Sequence, residues 1–138
     1  MSNTLYDSGR EAFLKGDIDW LQDTIRVALT SGYVAKTTGT LSEKVFSDVG
    51  SSKILKTQIL QRQGNLGHAT NGVAGGSDIT FTEVTGSVTG ILIYKDTGNP
   101  TTSTLIAFLD DVTGLNYTAS SDTITIQWDR GVNKIFKL

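Results

Sequence analysis

Asp17, Asp19 and Asp23 crowd into the stretch GDIDWLQD, and a hard cation such as calcium is held by clustered carboxylates of this kind. The spacing departs from the EF-hand loop, which needs a third acid with a glycine immediately afterward. Asp17 or Asp19 is therefore read as the end of a helix and a turn toward a strand, and no metal is assigned. Asp110 and Asp111 close the run TLIAFLDD, and paired acids can hydrolyse a glycoside. At the end of an apolar run they are read as charge that blunts a strand. His68 in GNLGHATNG is the single histidine. A general base must be positioned by a hydrogen-bonded neighbour; the surrounding sequence offers none, so His68 is read as an ordinary loop residue. The stretch GVAGGSD is glycine-rich, but a phosphate-cradling loop opens a helix and carries Gly-Lys-Ser or Gly-Lys-Thr. Here a strand follows, and Gly75 and Gly76 are expected at positive φ in a loose connection. Neither an enzyme nor a cofactor is expected.

The elements that carry these residues are constrained first by composition. At 138 residues the chain is expected to form one domain over 1–138, able to bury roughly two thirds of its unfolded surface. Cysteine is absent, which excludes disulfides, thiolate nucleophiles and zinc–thiolate sites and suits synthesis in a reducing cytoplasm. A net charge of −2 with scattered Lys and Arg gives no basic stripe for a phosphate backbone, so nucleic acid is not an expected partner. No apolar run approaches the roughly 18 residues of a membrane span, and the start MSNTLYDSGR lacks the pattern of a signal peptide. A membrane is not an expected partner. Twenty Thr and fifteen Gly favour strands and turns over helices.

Near the N-terminus, Leu5, Tyr6, Gly9, Phe13 and Leu14 fall close to helical spacing; Asp7 or Ser8 is placed to cap and Gly16 to stop, which predicts a short helix over 7–15. With its flanks it is read as an arm over 1–22. A strand pattern over 24–30 puts Ile25, Val27 and Leu29 on one face and Arg26 on the other. Residues 31–53 hold no clear period and are read as a long excursion with one helical turn at 43–46, the kind of loop that is usually functional. Strand patterns follow at 54–63, 79–82, 88–95, 104–110, 123–128 and 134–138, divided by turn signals. In 88–95 the core Ile91, Leu92, Ile93 and Tyr94 is apolar on both sides, which suits a central strand covered on both faces. The fold class is therefore all-β, an antiparallel β-sandwich of jelly-roll-like or meander form with a short N-terminal helix.

Phe81, Tyr94, Phe108, Trp128 and Phe136 fall in predicted strands and are expected in the core. Leu5, Tyr6, Phe13, Trp20, Tyr33 and Phe46 fall in the arm or the excursion, where an intramolecular core explains them less easily and a protein partner is the alternative. These six are assigned to partner contacts, and Tyr117 with Asn116, and Tyr33 in the excursion, are candidate sugar platforms. The closing strand, with Ile135, Phe136 and Leu138, needs cover either from another strand of the same sandwich or from an adjacent subunit.

The stretches YDSGREAFLKGDIDWLQDTIRVALT, GGSDITFTEVTGSVTGILIYKDTG, STLIAFLDDVTGL and DTITIQWDRGVNKIFKL resemble a family of small virion proteins of tailed bacteriophages, over most of the chain except 31–53. The resemblance carries no catalytic residues. It implies a non-enzymatic structural component of the virion: a capsid cement or decoration protein on the outer capsid surface, bound to the major capsid protein. A homo-oligomer, dimer or trimer, goes with that reading. A tail- or fibre-associated protein that binds host carbohydrate is the alternative.

Overall fold

The computed structural model describes residues 3–61, 69–70, 72–128 and 135–137; His68, Leu138 and the connection 129–134 between the last two expected strands lie outside them. In chain order the elements are β1 (Thr4–Leu5), α1 (Asp7–Lys15), β2 (Ile25–Thr30), β3 (Ile54–Ile59), β4 (Ala69–Thr70), β5 (Val73–Ala74), β6 (Ile79–Val88), β7 (Gly90–Lys95), β8 (Leu105–Leu109), β9 (Tyr117–Ile126) and β10 (Phe136–Lys137). The main sheet has the order β1-β8-β7-β2-β3, β6 and β9 form a two-stranded ribbon, and β10-β5-β4 is a small third sheet. All these pairings are antiparallel. The fold is an all-β sandwich-like body with a short N-terminal helix.

Strand periodicity sends Ile25, Val27, Leu29, Ile91 and Ile93 to one face of the main sheet, and Ala28, Leu92 and Tyr94 to the other. Because both sets are apolar, β7 is buried from Gly90 to Tyr94 between β8 and β2, as the pattern of 88–95 predicts. The ribbon covers the first face, contributing Phe81, Val84, Val88, Ala119 and Ile126 to the same core. Its register slips between Phe81 and Val84 and again between Val84 and Gly86. Glu83 (φ 53°) and Ser121 (φ 51°) sit in the left-handed region at these two bulges, which coil the ribbon over the sheet. The second face is covered by residues 31–53, whose Tyr33 and Val49 are buried against Tyr6, Leu92 and Phe108. That segment contains two short 3-10 helices, Phe46–Asp48 and Ser51–Lys53, instead of one turn at 43–46. Asp48 Oδ2 accepts the backbone N–H groups of Lys44 and Val45 at 2.9 and 3.1 Å, which holds the chain extended until Phe46.

In β8, Ala107 faces Ile93 and Leu105 faces Tyr94, so Ile106 is an extra residue that turns toward the ribbon side with Ala107. The helix lies on this bulge. Tyr6 N–H donates to the Ile106 carbonyl at 2.8 Å and Ser8 Oγ to the Leu105 carbonyl at 3.1 Å. A Cβ at Gly9 would sit 2.9 Å from both Ile106 Cα and the Leu105 carbonyl oxygen; only glycine lets the helix come this close. The helix stops at Gly16 (φ 76°), where Gly16 and Asp17 N–H donate to the Phe13 and Ala12 carbonyls at 3.2 and 2.8 Å, a Schellman ending. Its start differs from the expected Asp7 or Ser8 cap. Tyr6 holds that position without a side-chain cap bond, because Asp7 is engaged by Arg10 and Gly39 N–H and Ser8 by Leu105.

From Asn3 onward the expected arm over 1–22 is built into the body. Thr4 and Leu5 pair with Phe108 and Ala107, and Tyr6, Ile18 and Trp20 are buried. At the other end, Phe136 pairs with Ala74 and meets Trp20 and Phe13 edge-on at centroid distances of 5.2 and 6.2 Å, so cover for Phe136 comes from the same chain. Gly75 and Gly76 are not at positive φ. Trp20 Nε1 donates to the Gly75 carbonyl at 2.9 Å, and a Cβ at Gly76 would collide with the Leu60 side chain; these glycines serve close packing.

Gly9→Ala is expected to lower the free energy of unfolding by about 1–3 kcal/mol through overpacking at the bulge, against the usual gain of an alanine in a helix. Urea denaturation of the full chain measures it, and an unchanged or higher midpoint would contradict the close approach.

Candidate functional site

The six residues assigned to partner contacts divide when placed in the fold. Tyr6, Trp20 and Tyr33 are buried by their own chain, which corrects their reading as exposed anchors: tertiary contacts that no local period announces enclose them. Leu5, Phe13 and Phe46 are half-buried against the two cores, and Phe46 stacks on Tyr94 at 4.2 Å and 23°. None of the six stands free in solvent.

Tyr6 and Tyr33 form the most buried polar contact. Their hydroxyls are 2.6 Å apart. Tyr33 donates to Glu43 Oε1 at 2.6 Å, so its single proton is committed and Tyr6 is the donor to Tyr33. Glu43 Oε1 also accepts Lys36 N–H at 2.8 Å. Burial pushes both phenols well above their ordinary value, and the Glu43 carboxylate beside Tyr33 pushes in the same direction. The chain of hydroxyls ties the N-terminal segment to the excursion.

The acidic stretch is closed by a lysine. Asp23 Oδ2 accepts Asp19 N–H at 2.8 Å and pairs with Lys95 Nζ at 3.3 Å, while Lys95 also donates to the Asp17 carbonyl at 2.5 Å. An ammonium thus occupies the centre of the turn. Among the described residues no group of three or more His, Asp or Glu side chains is arranged to hold a metal ion.

Two surface features involve residues other than the six assigned to partner contacts. The first is aliphatic: Leu14 in α1 is 88% exposed, and Val34 and Leu41 in the excursion are 83% and 84% exposed. Among the described residues none of the three is packed against either core. The second is an open groove of about 610 Å³ between β9 and the segment 112–115. Its floor is Leu29, Val88 and Ile91, one wall is the run 123–127, and Tyr117 stands at its mouth. Tyr117 is 44% exposed and donates to Asp122 Oδ2 at 2.7 Å, a bond that raises the phenol and lowers the carboxyl. Of the expected sugar platforms, Tyr33 is buried, which removes it, and Tyr117 is at the surface, beside a cavity with an apolar floor and a threonine rim. Periodicity marks 123–128 as a strand; it misses the first half of β9, where the bulge interrupts alternation, and is silent on which edge stays open.

No family model, no curated protein and no solved structure matches this chain.

Tyr33→Phe is expected to destabilise the fold by about 1–2 kcal/mol, because Tyr6 and Glu43 each lose a buried partner. A pH series gives a second readout. Both phenols are raised in the folded state, so their contribution is complete below the unfolded value of about pH 10 and is lost as pH rises above it. The thermal midpoint is expected to fall between about pH 9 and pH 11, and to fall less steeply in Tyr33→Phe; parallel slopes would show that the buried hydroxyls do not control alkaline unfolding.

Proposed function

We propose that this chain is a non-enzymatic structural protein of a tailed-phage virion, a cement or decoration protein that binds and stabilises neighbouring major capsid subunits at the outer surface of the shell. The observation that carries the reading is the exposure of Leu14, Val34 and Leu41. All three lie in the helix or in the excursion, away from the strands of the body. Support comes also from the resemblance of the strand segments to small virion proteins, and from a body in which both faces of a central sheet are covered. Burying aliphatic side chains against a partner yields about 25 cal/mol per Å² before the cost of association, and many copies on one shell make modest contacts effective.

A second reading draws on Tyr117 beside the groove: a tail- or fibre-associated protein that binds surface carbohydrate, with the exposed ring as a platform. Binding of the isolated chain to a glycan array, lost in Tyr117→Ala, would favour it over the capsid.

Capsids stripped of the protein decide the first reading. The chain is expected to co-sediment with them saturably. The triple substitution of Leu14, Val34 and Leu41 by serine is expected to leave the unfolding free energy within about 0.5 kcal/mol, as exposed changes do, and to weaken capsid binding at least about tenfold. Absence of co-sedimentation by the unaltered chain would overturn the proposal.

A further inference from the structure

On one side β9 is paired with β6; on the other, among the described residues, no strand pairs with it. The middle of the strand is irregular: Ser120 N–H donates to Asp122 Oδ2 of the same strand at 3.2 Å and Ser121 N–H to Thr85 Oγ1 of β6 at 3.0 Å, beside the shift in register. Beyond Asp122 the five residues Thr123, Ile124, Thr125, Ile126 and Gln127 all line the groove. Successive residues point to opposite faces of a strand, so five in a row line one cavity only where the strand presents its edge. The run carries no charge and no proline, the devices by which natural edges resist pairing.

We infer that this edge pairs antiparallel with the same edge of a second copy of the chain, centred on Thr125. Thr125 then faces its own counterpart, Thr123 faces Gln127 and Ile124 faces Ile126. Within one copy Thr125 lies opposite Thr80, while Ile124 and Ile126 lie opposite Phe81 and Ile79; threonines point outward and isoleucines inward. Pairing centred on Thr125 continues both layers across the two-fold axis, polar against polar and apolar against apolar. A slip of one residue would set threonine against isoleucine. A slip of two toward Asp122 would set that carboxylate opposite Ile126 twice. In the centred register the second copy's Ile124 and Ile126 lie over Leu29, Val88 and Ile91, the groove floor. The contact is isologous, so it closes as a dimer and does not propagate.

Sedimentation equilibrium of the full chain, combined with crosslinking, tests the pairing. The unaltered protein is expected as a dimer that dissociates on dilution. Thr125→Lys, at an exposed outward position, sets two ammonium groups opposite each other and is expected to weaken association at least about tenfold, with the unfolding midpoint of the dilute protein unchanged. The chain has no cysteine, so Thr125→Cys is expected to give a covalent dimer on mild oxidation, and Thr80→Cys, one strand away, at least about tenfold less. A wild type that is monomeric at every concentration, association indifferent to Thr125→Lys, or equal crosslinking at the two positions overturns the pairing. So does a Thr125→Cys chain that crosslinks to a capsid subunit in preference to itself. A dimer that ignores capsids leaves the pairing standing and removes the capsid reading.

Discussion

A sheet whose central strand is apolar on both faces must be covered twice, and this requirement organises the whole chain. β7 has no face to give to water. The ribbon supplies one cover, through Phe81, Val84 and Val88; residues 31–53 supply the other, through Tyr33 and Val49. The two covers differ in kind. One is hydrogen-bonded strand, which satisfies its own backbone; the other is irregular chain, whose backbone groups must find partners singly. Glu43 N–H donates to the Lys36 carbonyl and Leu105 N–H to the Lys44 carbonyl, at 2.8 and 3.0 Å, and these isolated bonds are how the irregular cover is held.

The buried hydroxyls of Tyr6 and Tyr33 follow from the same requirement. An irregular cover brings polar atoms into the core, and a buried polar atom without a partner destabilises by about 1–3 kcal/mol. Linking Tyr6 to Tyr33, and Tyr33 to Glu43 at the rim, passes the need for a partner outward until it reaches a group near water. The link also explains why the N-terminal segment belongs to the body. Tyr6 is simultaneously the residue before the helix, the backbone donor to the β8 bulge and the end of the hydroxyl chain, so the helix, the main sheet and the excursion meet at one residue.

What could be read from the sequence was whatever depends on short-range pattern. The helix over 7–15 shows through its Gly16 stop, and the central place of 88–95 through the unbroken apolar run Ile91–Tyr94. β1 did not show, because two residues carry no period; it exists because β8 has an edge at Phe108 and Ala107 to receive it. The burial of Tyr6, Trp20 and Tyr33 did not show either, since their partners lie far along the chain: Trp20 donates to Gly75 and Tyr33 packs edge-on against Phe108 at 5.1 Å. Reading aromatic residues as the surface anchors overlooked the aliphatic ones. Leu14, Val34 and Leu41 look like ordinary core residues in the sequence, and only the fold leaves them outside.

The ribbon's two bulges bear on where this protein is able to meet another. An edge strand pairs with a partner only where it is straight and its backbone is regular. Glu83 and Ser121 take left-handed conformations and break the register around Val84 and Asp122, so the part of β9 near Ser120 is bent, its N–H groups taken by side chains of Asp122 and of Thr85 in β6. From Thr123 onward the pairing with β6 is continuous, Phe81 to Ile124, Thr80 to Thr125 and Ile79 to Ile126. The bulges therefore do two things with one distortion. They wrap the ribbon over the apolar face of the main sheet, and they confine the regular, uncharged edge to a short run beside the groove. A short edge of this kind sets one register by its length and by the carboxylate of Asp122 at its end, which is a physical basis for a single specific pairing in place of open-ended aggregation.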